Sequence, residues 1–295
     1  MTTQDAVTYS ITRLSPLYGQ GEAEAITALL LEKLTGYRGA KLIKNERDLF
    51  SSGNQLLLES WLGRLENNEP VQYILEEAWF LDMKFYVDRS VLIPRPETEE
   101  LVDWIIREHP FKASGQQLLD IGTGTGCIPI ALKKKLRGLQ AEGLDLSADA
   151  IKVAERNARE LQQDVSFRQV DFLDRSSWTS LPVCDLICSN PPYIPVTDQQ
   201  GMSPNVRDYE PASALFVPDD DPLLFYRAIA EFGITNLRED GRIYVEIYEG
   251  LGKKTLELFT SKGYNAELKK DMQGKDRMIR AVNGRSFHIR HHLGS

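Results

Sequence analysis

Apolar residues along the chain fall into two regimes. In the first 75 residues they recur at helical spacing: Ala23, Ile26, Leu30 and Leu34 share one face of a helix that Gly36 can end. Leu58, Trp61, Leu62 and Leu65 share a face of a second helix. Stripes of this kind bury themselves on one another, so a small helical bundle is expected over residues 1–75. From Trp79 the pattern changes. WFLDMKFYVDRSVLIPRP is rich in aromatic and branched residues, with polar breaks at Asp82 and at residues 88–90. It predicts a β-hairpin linker over 76–96, closed by Pro94 and Pro96.

Beyond residue 97 strands alternate with helices. A helix over 97–108 precedes strand QQLLDIGT, helix CIPIALKKKL, strand LQAEGLDLS and helix ADAIKVAERNARELQ. Strands VSFRQVDFL and CDLICSN follow. A helix near 222–237, strand GRIYVEIY, a helix near 252–262 and strands YNAELKK and DRMIRAV complete the pattern. Seven strands in this order predict an α/β domain over 97–284, its sheet mostly parallel with helices on both faces. Ligands of such folds bind beyond the carboxyl ends of the strands. Residues 285–295 are expected to form a short tail. The acids at 218–221 look like the entry of the helix near 222, close to its positive end.

Composition narrows the function classes. With 42% apolar and 26% charged residues the chain can build an ordinary core. It has no apolar run long enough to span a bilayer, which takes about 18 residues or more, and Asp5, Glu22 and Glu24 interrupt any early signal-like segment. A cytoplasmic protein without membrane contact is expected. The net charge of −8 argues against a stable nucleic-acid partner. Three cysteines, Cys127, Cys184 and Cys188, fit free buried thiols in a reducing compartment. Cys184 and Cys188 are expected on one face of a strand, but His109, His288, His291 and His292 lie far off in sequence, and no metal site is expected.

Two stretches carry chemistry. DIGTGTG (120–126) stands where the first strand of the α/β domain turns into a helix. Its glycines allow a tight turn and close approach of backbone to ligand, and free helix amides follow. The dinucleotide spacing G-x-G-x-x-G would need glycine at 127, where Cys127 stands, and no Walker lysine follows. D-x-G-x-G-x-G instead resembles motif I of class I S-adenosylmethionine-dependent methyltransferases. The turn residues Gly122, Thr123, Gly124, Thr125 and Gly126 are therefore candidates for holding that donor. Asp145, ending the second strand, suits a ribose, although a dinucleotide would offer one too. Ser147 is better placed to cap the next helix. In that resemblance Asp171 and Phe172 would meet the adenine, and Trp178 would form a further wall.

SNPPYIP (189–195) ends the fourth strand. A residue before proline is held extended, and prolines donate no N–H. Asn190 and Pro191 thus offer two fixed carbonyl acceptors, which suit a planar –NH₂ with two donors. Holding both hydrogens turns the nitrogen lone pair out of the plane, toward an activated methyl. Positive charge building on nitrogen is opposed by the two dipoles, an oxyanion hole with its sign reversed. No general base is needed before attack. Tyr193 supplies a ring to pack on the plane of the acceptor group.

N-P-P-Y together with the glycine turn resembles the amino-methyltransferases. EPVQYI (69–74), Phe85-x-Val87, VLIPRPETE (91–99) and VRDYEPASAL (206–215) narrow the likeness to the peptide chain release factor glutamine methyltransferases, over nearly the whole chain. The resemblance implies a Rossmann-like class I methyltransferase domain behind a helical substrate-docking domain. It implies transfer from S-adenosyl-L-methionine, leaving S-adenosyl-L-homocysteine, to the glutamine side chain of the Gly-Gly-Gln loop of class I release factors. Asn190, Pro191, Pro192 and Tyr193 would hold that amide, with Asn190 also bordering the donor and Arg95, Pro96, Glu97 and Thr98 near the mouth of the pocket. The enzyme is expected to act as a monomer. Two positions depart from the family pattern: Glu76, where glycine is usual, and Leu251, where glutamine is expected.

Two other readings compete. An exocyclic-amine methyltransferase acting on adenine or cytosine in DNA or RNA would use the same N-P-P-Y chemistry, but needs a surface for nucleic acid. The run of lysines at 133–135 is weak support for one, since cations are expected near a helix C-terminus. A non-catalytic adaptor that kept the fold has no reason to retain both motifs.

Overall fold

The computed structural model describes residues 1–109 and 115–283. His288, His291, His292 and the tail expected at 285–295 lie outside the described residues. The chain divides into two compact units, one of residues 1–77 with 203–209, the other of residues 78–202 with the chain from Glu210 onward.

In the first unit, helices α1 (Thr3–Tyr18), α2 (Gln20–Thr35), α3 (Ala40–Lys44), α4 (Ser52–Glu66) and α5 (Val71–Leu75) follow one another. Local chemistry sets their ends. Thr2 and Asp5 form a reciprocal capping box on α1, Ser51 caps α4, and Gly36 ends α2 at φ 71°. The stripes meet in one cluster that includes Ala23, Ile26, Leu30, Leu58, Leu62 and Leu65; Leu34 and Trp61 lie partly buried at its edge. Each buried leucine contributes roughly 1.5–3 kcal/mol. α5 ends at Glu76, which adopts the left-handed conformation at φ 55°. That geometry is the physical reason for the glycine usual there.

The second unit begins with an antiparallel hairpin, β1 (Ala78–Phe80) and β2 (Met83–Phe85). Its two-residue turn, Leu81 and Asp82, has both φ values positive (46° and 60°), the twist that tight hairpins require. α6 (Pro96–Glu108) starts on a proline and carries Glu97 and Glu99 in its first turn. Then come β3 (Gln117–Ile121), α7 (Cys127–Lys135), β4 (Gln140–Asp145), α8 (Ala148–Glu160), β5 (Val165–Gln169) and β6 (Cys184–Ser189). β7 (Ile194–Pro195) precedes α9 (Pro204–Arg207), which belongs to the first unit, and α10 (Ala212–Leu215) and β8 (Phe216–Val217) follow. α11 (Leu224–Asn236), β9 (Leu237–Glu246), α12 (Gly252–Ser261), β10 (Tyr264–Lys270) and β11 (Asp276–Asn283) complete the described chain.

Seven strands form one sheet in the order β10-β11-β9-β6-β3-β4-β5. β5, β4, β3, β6 and β9 run parallel, while β11 is antiparallel to both neighbours. Both faces are buried, so alternate residues of one strand enter different cores. Leu118 and Leu186 pack with α6 and α7 residues, whereas Leu119 and Ile187 pack with α11 residues. The chain steps outward from β3 to β5, then returns to β6 on the other side of β3. This reversal is the switch point where such sheets open a crevice.

Two local expectations are corrected and a third is refined. Cys184 and Cys188 do not share a face: Cys184 packs in one core and Cys188 in the other, and the pairing with β9 shifts register between Cys184 and Leu186. The strand expected through VDFL stops at Gln169. The acids Asp219, Asp220 and Asp221 stand just before a helix, as expected, but none caps it. α11 starts at Leu224 with no acid in its first turn, Asp221 pairs with Arg227 at 2.6 Å, and Asp219 accepts from the backbone N–H and hydroxyl of Thr197.

Candidate active site

The site assembles at the carboxyl ends of β3, β4 and β6. Gly122, Gly124 and Gly126 all have left-handed φ (74°, 51° and 76°), which a residue with a Cβ adopts only under strain. Their surroundings differ. A Cβ on Gly122 or Gly124 would meet nothing within 4 Å, whereas one on Gly126 would stand 3.0–3.2 Å from Ile130, Phe167 and Ala154. The first two glycines thus face open space, and the third packs the turn onto its helix. Gly143 on β4 makes room for the turn, since a Cβ there would lie 2.6 Å from Thr123 Oγ1. Asn157 braces it, donating to the Thr125 carbonyl and exchanging hydrogen bonds with the backbone of Tyr86.

This turn opens on a cleft with about 1160 Å³ of empty space, the open solvent at its mouth included. Its walls include Gly122, Thr123, Gly124, Thr125, Asp145, Asp171 and Phe172 on one side, and Asn190, Pro191, Pro192, Arg95 and Thr98 on the other. Asp145 accepts one backbone N–H on each oxygen, from Gly124 and from Ser147, both at 2.9 Å. That fixes the carboxylate while leaving lone pairs for a ligand; burial raises its pKa. Thr123 Oγ1 is buried without a hydrogen-bond partner among the described residues, and so are both carboxylate oxygens of Asp120 just below the turn. Burial pushes Asp120 up to about 7, the nearby Thr123 hydroxyl opposing and the Asp145 charge adding to it.

Five expected residues do not line the cleft. Gly126 is the helix cap just described, and Pro96 and Glu97 lie outside the lining. Trp178 stacks behind Phe172, with ring centroids 5.6 Å apart and planes at 30°, its Nε1–H donating to the Phe172 carbonyl at 2.8 Å. Phe172 thus occupies the place at the cleft wall that sequence reasoning also offered to Trp178. The Tyr193 ring stacks on Tyr248 rather than lining the cleft, and its hydroxyl donates to Glu246 Oε1 at 3.1 Å.

Glu246 escaped the sequence reading. The only signal was an acid in the apolar strand IYVEIY. Cys188 pairs with Tyr244 and Ser189 with Val245, so Glu246 ends its strand level with Asn190. Its side chain is buried, and its Oε2 accepts from Thr98 Oγ1 at 2.7 Å, while Thr98 in turn accepts from Asn190 Nδ2 at 3.1 Å. Burial raises the Glu246 pKa; the Thr98 and Tyr193 hydroxyls and the Arg277 charge oppose it. Arg95, at the cleft, is held by a salt bridge at 2.5 Å to Glu210, whose side chain is fully buried.

Burial pushes the Cys127 and Cys184 thiols up to about 12 and raises Cys188 well above its ordinary value, so none is a nucleophile at neutral pH. Among the described residues no group of three or more His, Cys, Asp or Glu side chains could hold a metal ion. No helix among them is long and apolar enough to cross a membrane.

Residues 99–205 match the methyltransferase small domain family, and residues 5–75 match the PrmC N-terminal domain family. A release factor glutamine methyltransferase of Bacteroides thetaiotaomicron is 41% identical over 271 residues, covering 91% of this chain and 95% of that one. One of Flavobacterium psychrophilum is 40% identical over 277 residues, covering 92% and 96%. Among solved structures, the 16S rRNA N2 G1207 methyltransferase of T. thermophilus, solved with AdoMet and guanosine, aligns at a TM-score of 0.52 with 17% identity. It covers 70% of this chain and 49% of that one, a likeness of fold.

Proposed function

Because the chain belongs to the release factor glutamine methyltransferase family, we propose that Asn190 and Pro191 hold the side-chain amide of a release factor's glutamine beside a methyl donor cradled by the glycine turn. The reaction is methyl transfer from S-adenosyl-L-methionine to the amide nitrogen of that glutamine, in the Gly-Gly-Gln loop of class I release factors. The observation that carries the residue assignment is the open space above Gly122 and Gly124 in the same cleft as Asn190 and Pro191.

The residues present fit the donor. The left-handed glycines leave backbone room, Thr123 offers a hydroxyl without a partner, and Asp145 is a pre-oriented acceptor for ribose. Asp171 and Phe172 line the end suited to a base. When bound, S-adenosyl-L-methionine supplies a sulfonium methyl whose S–C bond breaks as the N–C bond forms, leaving S-adenosyl-L-homocysteine.

The protein's part is to present the nucleophile. An amide nitrogen is weakly nucleophilic because its lone pair is delocalised into the carbonyl. The Asn190 side-chain oxygen and the Pro191 main-chain carbonyl accept its two hydrogens and orient the remaining lone pair. Their dipoles stabilise the charge that grows on nitrogen, an effect worth about 2.7–4 kcal/mol per partner by analogy with oxyanion-hole donors. The proton leaves after transfer, when the nitrogen is cationic and acidic. No metal takes part in this scheme. Residues 1–75 form the docking domain for the release factor, and the setting is cytoplasmic.

The test is mass spectrometry of a release factor after incubation with enzyme and donor, with DNA and RNA offered in parallel. One added methyl on the loop glutamine is the expected result. Methylation of nucleic acid alone would overturn the reading in favour of an exocyclic-amine enzyme.

A further inference from the structure

Asn190 carries two ends of nearly the same shape, a carbonyl oxygen and an –NH₂. Rotating the amide by half a turn exchanges them with little steric consequence. The oxygen must face the cleft if Asn190 is to accept a substrate hydrogen, so something has to select between the two orientations.

Glu246 can make that selection. Ionised, it only accepts hydrogen bonds. Thr98 has one hydroxyl proton and gives it to Glu246 Oε2 at 2.7 Å, while Tyr193 gives its proton to Oε1 at 3.1 Å. What Thr98 has left for Asn190 is a lone pair. Only the –NH₂ end of Asn190 can meet it, at 3.1 Å. Among the described residues the Asn190 oxygen then accepts no hydrogen bond, and Asn190 lines the cleft.

We infer that Glu246 and Thr98 are positioning residues: the carboxylate sets the direction of the chain Asn190→Thr98→Glu246 and so keeps the Asn190 oxygen toward the incoming amide. A glutamine at 246 can reverse the chain by donating to Thr98, which then donates to the Asn190 oxygen and turns the –NH₂ into the cleft. The inference rests on the reading of Asn190 as the acceptor of the substrate amide.

The test compares Glu246→Gln, Thr98→Val, Thr98→Ser and Asn190→Ala in methyl transfer to intact release factor, with donor affinity measured by calorimetry. Glu246→Gln and Thr98→Val are each expected to lower kcat roughly 100-fold, in the range found for loss of one oriented partner, with donor Kd within about 3-fold, allowing for the small effects usual away from direct contacts. Thr98→Ser, which keeps the hydroxyl, restores most of the turnover lost in Thr98→Val. The double variant Glu246→Gln/Thr98→Val is no slower than the worse single one, because both act through one chain. Wild-type turnover in Glu246→Gln would overturn the inference, and so would effects that multiply. An active Thr98→Val beside a slow Glu246→Gln would also do so, since the effect would then run through Tyr193 or through charge at a distance and not through Thr98. If Thr98→Val does not fold, Glu246→Gln, nearly isosteric, decides alone. An active Asn190→Ala sinks the reading of the site itself; an inactive Asn190→Ala beside an active Glu246→Gln sinks only the relay.

Discussion

Asp120 pairs with Cys188 across the parallel strands β3 and β6. Two residues further on, Gly122 and Asn190 therefore leave the sheet side by side. Ser189 secures the junction, its hydroxyl donating to the Ile121 carbonyl at 2.6 Å. The first strand's glycine turn and the fourth strand's prolines thus become two walls of one cleft.

Asn190→Ala removes one of the two acceptors while leaving the glycine turn intact. Turnover should fall roughly 10²–10³-fold with donor affinity nearly unchanged. Single-turnover transfer alongside calorimetry measures both, and a parallel collapse of donor affinity would identify Asn190 as a donor-binding residue first.

Asp120 should make stability depend on pH. Its folded pKa, about 7, lies above the ordinary 3.8. Between those values the unfolded chain has lost the proton while the folded one keeps it, so stability falls as pH rises through that window and levels off above it. Asp120→Asn removes the penalty. Thermal melts without donor should show the variant gaining on the wild type from pH 4 to 7, with the difference constant beyond. A difference independent of pH would show that Asp120 ionises normally.

Glu76→Gly should stabilise the first unit. Left-handed backbone costs an ordinary residue roughly 1–2 kcal/mol, partly offset by the greater freedom of glycine in the unfolded chain. A net gain of about 1 kcal/mol in chemical denaturation is expected. An unchanged or lower midpoint would mean that the Glu76 side chain makes a compensating contribution.

Removal of residues 1–75 should spare donor binding more than transfer to intact release factor. Calorimetry reports whether the remaining chain still binds donor. Full activity of such a chain on the intact factor would refute a docking role.

The local parts of the site were legible because they are backbone constraints. Glycines spaced by two can hold successive left-handed turns, and residues before proline are extended whatever surrounds them. Gly36 and Pro96 acted at helix ends for the same reason, and Ser147 capped its helix through an equally local side-chain hydrogen bond. The errors came where a distant partner decides. Asp219 precedes a helix as expected, but Thr197, from another loop, takes its carboxylate away from the helix end. Trp178 looked like a cleft wall until Phe172 filled that place and Phe232 packed against the indole.

Periodicity alone determined that this chain alternates strands with helices behind a helical first region, and the two motifs alone marked the strand ends that line the cleft. Tertiary structure decided that β6 lies beside β3, that β9 lies beyond it, and hence that Thr98 and Glu246 meet Asn190. Period and turn chemistry act within a few residues of chain, whereas strand order and hydrogen-bond direction depend on which segments meet from about 50 to about 150 residues apart.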